Sequence, residues 1–411
     1  MTKPDVIILG AGVIGLSAAL QLMRRSNLSV RIFERASSLG AGSTGASSAV
    51  CRHRYTHDEV VHLAKAGIDC YRAWGDFTEL AAPLAGFNAV GALWLGAGEE
   101  WTSMEVERLG AFGIPCSHLD DDDIKRRFPG ISPSRFIADP ETGELHESAG
   151  VNSHFFEESA GFMDPQDVLL DLQAALLKRG IEIEFNTHVT KVNVSGGRVR
   201  GVVLENGDTV DAPLVVNCSG PWCNALLETV GLTDKWPLVP TRIQVIHLAR
   251  PPEVVGDLPV CVDLEGGVYF RPQNRGQQLV AGSTREEDEA EQVEDPDRLK
   301  TWIDDDFVAK VMHTLCHRVP GLKVVGKVQG YSGLYTVNQT DMHPVVGQTP
   351  VDGFFVANGF SGHGFKLAPA IGSLLAQMIT GTRLPGDTDM DPEFLGWDRK
   401  PLVLDAKNVL A

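Results

Sequence analysis

The chain has 411 residues, enough for roughly two or three domains with cores of their own. With 43% hydrophobic and 22% charged residues it has the balance of a packed globular protein, which excludes a disordered chain. A formal net charge of −18, with no local stripe of lysine and arginine to offset it, would repel a phosphate backbone and excludes nucleic acid as an expected partner.

The apolar stretch from Val6 to Met23 follows Asp5 rather than a basic cluster and is interrupted by glycines, so it reads as folded structure and not as a signal peptide. Val6–Leu9 predicts a strand, Gly10, Gly12 and Gly15 lead into a buried helix over Leu16–Arg25, and Val30–Phe33 predicts the next strand with Glu34 at its carboxyl end. That is the βαβ order of a dinucleotide-binding unit. From Asp58 to Leu80, apolar residues recur at the spacing of one helical face. Residues 81–154 are irregular, with an acidic run at Asp120–Asp123, and are assigned to another domain.

Asp164-Pro165 predicts a helix start, with Asp164 as cap, and Gly180 predicts its stop. Strand-like runs follow at Ile181–Phe185, Thr190–Val194, Arg198–Leu204 and Leu214–Asn217, separated by turn residues. Residues 231–324 alternate strand-like runs with charged segments and suit a substrate-facing domain. Phe354–Ala357 predicts a last short strand, followed by a glycine-rich turn and a helix over Ala368–Ile379. No stretch approaches the ~20 apolar residues of a membrane span. The seven cysteines show neither a disulfide framework nor a C-x-x-C pair, which points to a reducing cytoplasm and gives no metal site.

Glycine at 10, 12 and 15 suits a chain that must turn sharply, approach a pyrophosphate through bare backbone and pack a helix against a strand. Glu34 would accept hydrogen bonds from ribose hydroxyls and disfavour a 2′-phosphate. These residues alone do not separate FAD from NAD.

The glycine fingerprint, the continuation Glu34-Arg35 to Gly40-Ala41-Gly42-Ser43-Thr44-Gly45-Ala46-Ser47-Ser48, the segment Val215-Val216-Asn217-Cys218-Ser219-Gly220-Pro221-Trp222 and the segment Gly359-Phe360-Ser361-Gly362-His363-Gly364-Phe365-Lys366 together resemble the D-amino-acid oxidase superfamily, most of all its sarcosine oxidase and dimethylglycine dehydrogenase branch. The resemblance implies an α/β fold, α+β overall, in which a discontinuous Rossmann-like FAD-binding domain (1–80, 155–230 and 325–411) is roofed by a mixed-sheet substrate domain (81–154 and 231–324). It implies FAD as cofactor, with Gly10, Gly12, Gly15 and Glu34 on its ADP part, Val189 meeting the adenine, Arg35, Ser43 and Gly220 as further cofactor-binding residues, and Gly362, His363, Gly364, Phe365 and Lys366 toward the flavin. Lys366 matches a lysine that holds the substrate carboxylate, Arg52 an arginine beside the flavin, and Tyr269 and Tyr335 tyrosines of the substrate cavity. His53, Arg54 and Tyr55 belong to the site or lie just behind it, and His363 is not assigned the role of base.

The activity implied is oxidation of the C–N bond of an N-alkyl or other α-amino acid to an imine that hydrolyses, with the flavin reoxidised by oxygen or by a carrier or quinone. The partner is thus a small carboxylate-bearing amine. The alternatives are a flavoenzyme acting on a cyclic amine or a larger amino acid, and a flavin-containing assembly protein. Three departures qualify the resemblance. Gly333 stands where relatives attach FAD through a cysteine, so the cofactor is expected to be non-covalent. Tyr335 together with Lys366 disfavours a glycine-oxidase arrangement. Val280 falls where an oxygen-activating lysine is found, which leaves no cation at that position and makes oxygen a poor acceptor, the alternative being that Arg271 or Arg275 reaches the same place.

Overall fold

The computed structural model describes residues 3–134, 136–138, 145–147, 153–322, 327–404 and 410. Parts of the expected second-domain segments, 139–144, 148–152 and 323–324, lie outside the described residues. Two large sheets dominate. The first has six strands in the order Ile183–Glu184, Val30–Phe33, Val6–Leu9, Leu214–Asn217, Phe354–Asn358 and Val345–Gln348. All its neighbours are parallel except the last pair. The central strands are buried except at Leu214, which is half-buried, as expected of a parallel sheet covered on both faces.

The first helix, Val13–Arg25, packs on this sheet beside the last helix, Gly364–Thr380. A Cβ on Gly372 would lie 2.6 Å from the Ser17 carbonyl carbon, so glycine permits the close crossing. The last helix begins at Gly364, four residues before its expected start, and carries Pro369 inside. Pro369, the sixth helical residue, leaves the Phe365 carbonyl without its i+4 donor, and the Tyr71 hydroxyl donates to that carbonyl at 2.7 Å instead. The expected helix Asp58–Leu80 divides into Asp58–Arg72 and Trp74–Thr78 at Ala73, whose backbone departs from helical values. Asp164 caps Pro165–Leu177 by accepting from the backbone N–H groups of Gln166 and Asp167.

The second sheet has eight strands in the order Gln329–Asn338, Leu238–Ala249, Gln278–Ser283, Val268–Gln273, Val260–Asp263, Ala92–Leu95, His154–Glu157 and Cys116–Leu119. It is mixed: only Val260–Asp263 and Ala92–Leu95 run parallel. Its hydrogen bonding takes in residues 154–157 and 329–338, which the expected boundaries at 155 and 325 would leave largely on the nucleotide side. One face packs on the helix Asp305–Arg318 through Phe270, Leu279, Ala281 and Val311. Strand alternation then turns Tyr269, Arg271, Val280 and Gly282 to the other face. A smaller sheet, Val189–Ser195, Arg198–Leu204 and Thr209–Asp211, flanks the first. Among the described residues no helix is long and apolar enough to cross a membrane.

Candidate active site

A trough of about 420 Å³ runs along the carboxyl ends of the parallel strands, the usual ligand position in an open α/β sheet. Its floor is the glycine turn. Gly10 has φ +99°, and a Cβ there would lie 2.6 Å from the Cys218 carbonyl oxygen; one on Gly15 would lie 2.1 Å from the Gly10 oxygen. Side chains at either position would push strand, turn and helix apart. Gly12, Val13 and Ile14 bring the first helix's amino end to the trough, and no acidic residue stands in its first turn to compete with a phosphate.

Glu34 anchors the rim: Oε2 accepts from Ala11 N at 2.9 Å and Oε1 from Ala36 N at 2.8 Å. Each oxygen keeps lone pairs for ribose hydroxyls. Arg35, Ser43, Val189, Gly220, Gly362, Gly364 and Phe365 also line the trough. The Ser43 hydroxyl is buried with no hydrogen-bond partner among the described residues, an arrangement that is costly unless a ligand satisfies it. A bare-backbone cradle, a helix amino end, an acidic rim and an orphan hydroxyl together fit FAD.

Three contributors were not legible beforehand. Thr44 Oγ1 accepts from Val13 N at 3.1 Å, closing the loop over the helix start. Trp222 and Asp297 also line the trough, where Asp297 accepts from Trp222 Nε1 at 2.9 Å and from Arg35 at 2.8 Å. Asp297 lies on the connection between two second-sheet elements, and no local motif marks it.

Beyond the trough, Lys366 occupies the first turn of the last helix and is buried, 4% exposed. Its ammonium lies 5.9 Å from the centre of the Tyr55 ring and has no hydrogen-bond acceptor among the described residues. Burial, and then the charge of Arg52, bring its pKa down to about 7, while Cys51 and Glu157 pull the other way. The Arg52 guanidinium lies 4.5 Å from the Tyr55 ring centre and 5.5 Å from that of Trp94, and it donates to the Arg54 carbonyl. Both sequence-predicted cations therefore meet at Tyr55.

His53 is buried and hydrogen-bonds Glu157, whereas Arg54 turns away to the Leu410 carbonyl at 3.1 Å and to Glu105 at 3.6 Å. His363 is fully buried with its ring edge-on to Tyr55, 5.2 Å between centres. Tyr335 lines the trough, and Tyr269 is buried on the roof, its ring filling the space a Cβ on Gly282 would need. Burial pushes both phenols up, Tyr269 to about 12, so both stay protonated.

At Gly333 a Cβ would lie 2.6 Å from Ala46 Cβ. Val280 is apolar and buried, as read from the sequence, and of the two arginines that could reach the same place the structure puts Arg271 beside it. Arg271 stands directly opposite Val280 on the neighbouring antiparallel strand, 3% exposed, with Nε donating to the Ser48 carbonyl at 2.5 Å. Cross-strand partners share a face, so this guanidinium reaches the place where the sequence shows only valine. Among the described residues no cluster of histidine, cysteine or acidic side chains could hold a metal.

Comparison with known proteins bears on the same features. The chain is 28% identical to FAD-dependent oxidoreductase domain-containing protein 1 of Xenopus laevis, over 92% of this chain and 79% of that protein. It is 26% identical to monomeric sarcosine oxidase of Streptomyces avermitilis, over 92% of this chain and 94% of the relative. Its fold is that of L-proline dehydrogenase from P. horikoshii (TM-score 0.79, 20% identity, 96% of each chain) and of glycine oxidase from Geobacillus kaustophilus (TM-score 0.77, 21% identity, 97% of this chain and 100% of that one). With residues 5–378 matching the family model for FAD-dependent oxidoreductases, the chain belongs to the DAO family and is an FAD-dependent enzyme.

Proposed function

We propose that the chain oxidises the C–N bond of a small α-amino acid, first of all an N-alkyl one, to an imine that water then hydrolyses. The observation that carries this reading is the Lys366 ammonium, buried beside Arg52 with no hydrogen-bond acceptor among the described residues. A desolvated cation without a partner is costly. An anion arriving with the substrate relieves that cost, and a carboxylate is small enough to meet both heads through charge-assisted bonds.

When bound, FAD supplies the two-electron acceptor. The protein's own residues set the geometry. Lys366 and Arg52 hold the carboxylate over the Tyr55 ring, which fixes the adjacent α-carbon. The same positive charge favours the deprotonated substrate amine, the form whose nitrogen lone pair assists oxidation. Tyr269 and Tyr335, both neutral, offer hydroxyls from the roof, and the buried walls exclude bulk water. The sarcosine oxidases among the relatives support an N-alkyl substrate. Oxygen or a carrier completes the cycle.

The test is anaerobic reduction of the bound flavin by a panel of sarcosine, other N-alkyl glycines, proline and primary amino acids. Bleaching by N-alkyl amino acids ahead of primary glycine is expected. No bleaching by any amine would overturn the reading in favour of an assembly protein.

A further inference from the structure

One fully buried carboxylate at the site has no part in the reading so far. Glu157 ends a strand of the second sheet and is 0% exposed. Its Oε1 accepts from Trp94 Nε1 at 3.0 Å, and its Oε2 accepts from His53 N at 2.5 Å and faces His53 Nδ1 at 3.2 Å. Trp94 belongs to the same sheet, while His53 belongs to the segment that carries Arg52 and Tyr55. Glu157 therefore ties the roof to that segment one residue from Arg52.

We propose that Glu157 is a positioning residue for substrate binding: it pins the segment 52–55 to the roof and supplies the negative charge facing the Lys366 and Arg52 cations. The proposal rests on the reading of Lys366 as the carboxylate anchor. Three donors converge on two oxygens, which a carboxylate satisfies as a pure acceptor; a glutamine would turn an N–H toward one of them. Burial by itself would raise the Glu157 carboxyl, yet the hydrogen bonds and charge of His53, with the charge of Arg52, hold it below its ordinary value. It is thus an anion at neutral pH. The groups around Lys366 are Arg52, Cys51 and Tyr55 from the segment after the short strand Val50–Cys51, Glu157 from the roof, and His363 before the last helix; Tyr71 of the helix Asp58–Arg72 donates to the neighbouring Phe365 carbonyl at 2.7 Å. Of these, Glu157 is the one carboxylate, and it supports the protonated form of Lys366 against burial and Arg52.

The experiment is binding of acetate to the holoenzyme, read from the flavin absorbance between mildly acidic and alkaline pH. In the wild type, affinity falls as pH rises through the Lys366 midpoint. E157Q is expected to lower that midpoint by about one unit, so that acetate binds about tenfold more weakly above it. E157D keeps the charge but shortens the reach: the midpoint stays, and affinity drops several-fold at every pH as the segment carrying Arg52 loses its tie. A wild-type midpoint in E157Q overturns the role of the charge, and wild-type affinity in E157D overturns the positioning. If E157Q does not retain flavin, the E157D titration decides. K366M separates the two readings: unchanged acetate binding in K366M sinks Lys366 as the anchor, whereas lost binding in K366M with a wild-type profile in both Glu157 variants sinks only the present inference.

Discussion

Asp297 takes a hydrogen bond from Trp222 at 2.9 Å in the lining of the trough, and Arg35, bonded to the same carboxylate, lies 4.8 Å from the Trp222 ring centre. A side chain from the connection between two strands of the second sheet thereby reaches the lining of the trough. Asp297→Ala is expected to speed loss of FAD roughly tenfold, since the Trp222 hydrogen bond to a charged carboxylate is worth about 1.5 kcal/mol at an exposed rim and the exposed ion pair with Arg35 adds little. The rise of free-flavin fluorescence after dilution measures this. A wild-type release rate would leave the contact as a rim feature without influence on retention.

FAD is expected to be released into the supernatant by acid precipitation. Gly333 offers no thiol, and the nearby Cys51 is a poor nucleophile because burial pushes it up to about 12 despite the opposing charges of Lys366 and Arg271. Yellow colour retained in the pellet would contradict this, and His53 would then be the residue to examine.

Lys366→Ala is expected to weaken binding of anionic substrates by about 1.5–3 kcal/mol, the value of a hydrogen bond to a charged group, while leaving flavin content intact. Lys366→Arg should rescue only in part, because a planar fork cannot replace a compact ammonium in the same pocket. Steady-state kinetics at wild-type values in the alanine variant would return Lys366 to a packing role.

Binding of a carboxylate should also take up protons. Lys366 is brought down to about 7, so above that pH a growing fraction is neutral, and an incoming anion restores the protonated form. Affinity therefore falls as pH rises past about 7. Calorimetry in two buffers of different ionisation enthalpy measures the uptake near pH 8; identical heats in both would show that Lys366 keeps its proton throughout.

The nucleotide half of this molecule was legible because its chemistry is local. Gly10, Gly15 and Glu34 lie within one βαβ unit, where strand, turn and helix each leave a periodic or steric mark, and Val6–Leu9, Val30–Phe33 and Leu214–Asn217 fall where they were expected. Lys366 and Arg52 came from resemblance, and the fold brings both to Tyr55. Glu157 and Asp297 stayed hidden because each acts across a long stretch of chain, and Arg271 could be named as a candidate beside Val280 but not chosen over Arg275 until the strand pairing was known. A carboxylate at the end of a short strand looks the same in sequence whether it meets water or His53. The second sheet's outline also escaped, since it gathers strands from Ala92 to Asn338 and no local pattern reports pairing at that range.

Oxygen is expected to be a slow acceptor, for a reason that differs from the one the sequence suggests. Val280 is apolar, but Arg271 faces it across the strand pair and puts a positive charge on the face of the sheet turned away from the helix Asp305–Arg318. That charge is already engaged: Nε donates to the Ser48 carbonyl and Nη1 to the Pro272 carbonyl, and the guanidinium carbon lies 4.4 Å from the Phe162 ring centre. Preorganised charge speeds formation of superoxide only where it is aimed at the nascent anion, and a head held by two carbonyls and a ring is aimed elsewhere. Reduced enzyme should therefore reoxidise slowly in air and quickly with an artificial dye. Val280→Lys should raise the oxygen rate by adding an uncommitted cation on the same face, whereas Arg271→Met should slow the residual rate only slightly. Stopped-flow reoxidation as fast as that of good oxidases would defeat the expectation. If Arg271→Met then abolished that fast phase while flavin reduction by substrate stayed normal, the guanidinium itself would be the activating charge and its carbonyl contacts would have to be exchangeable.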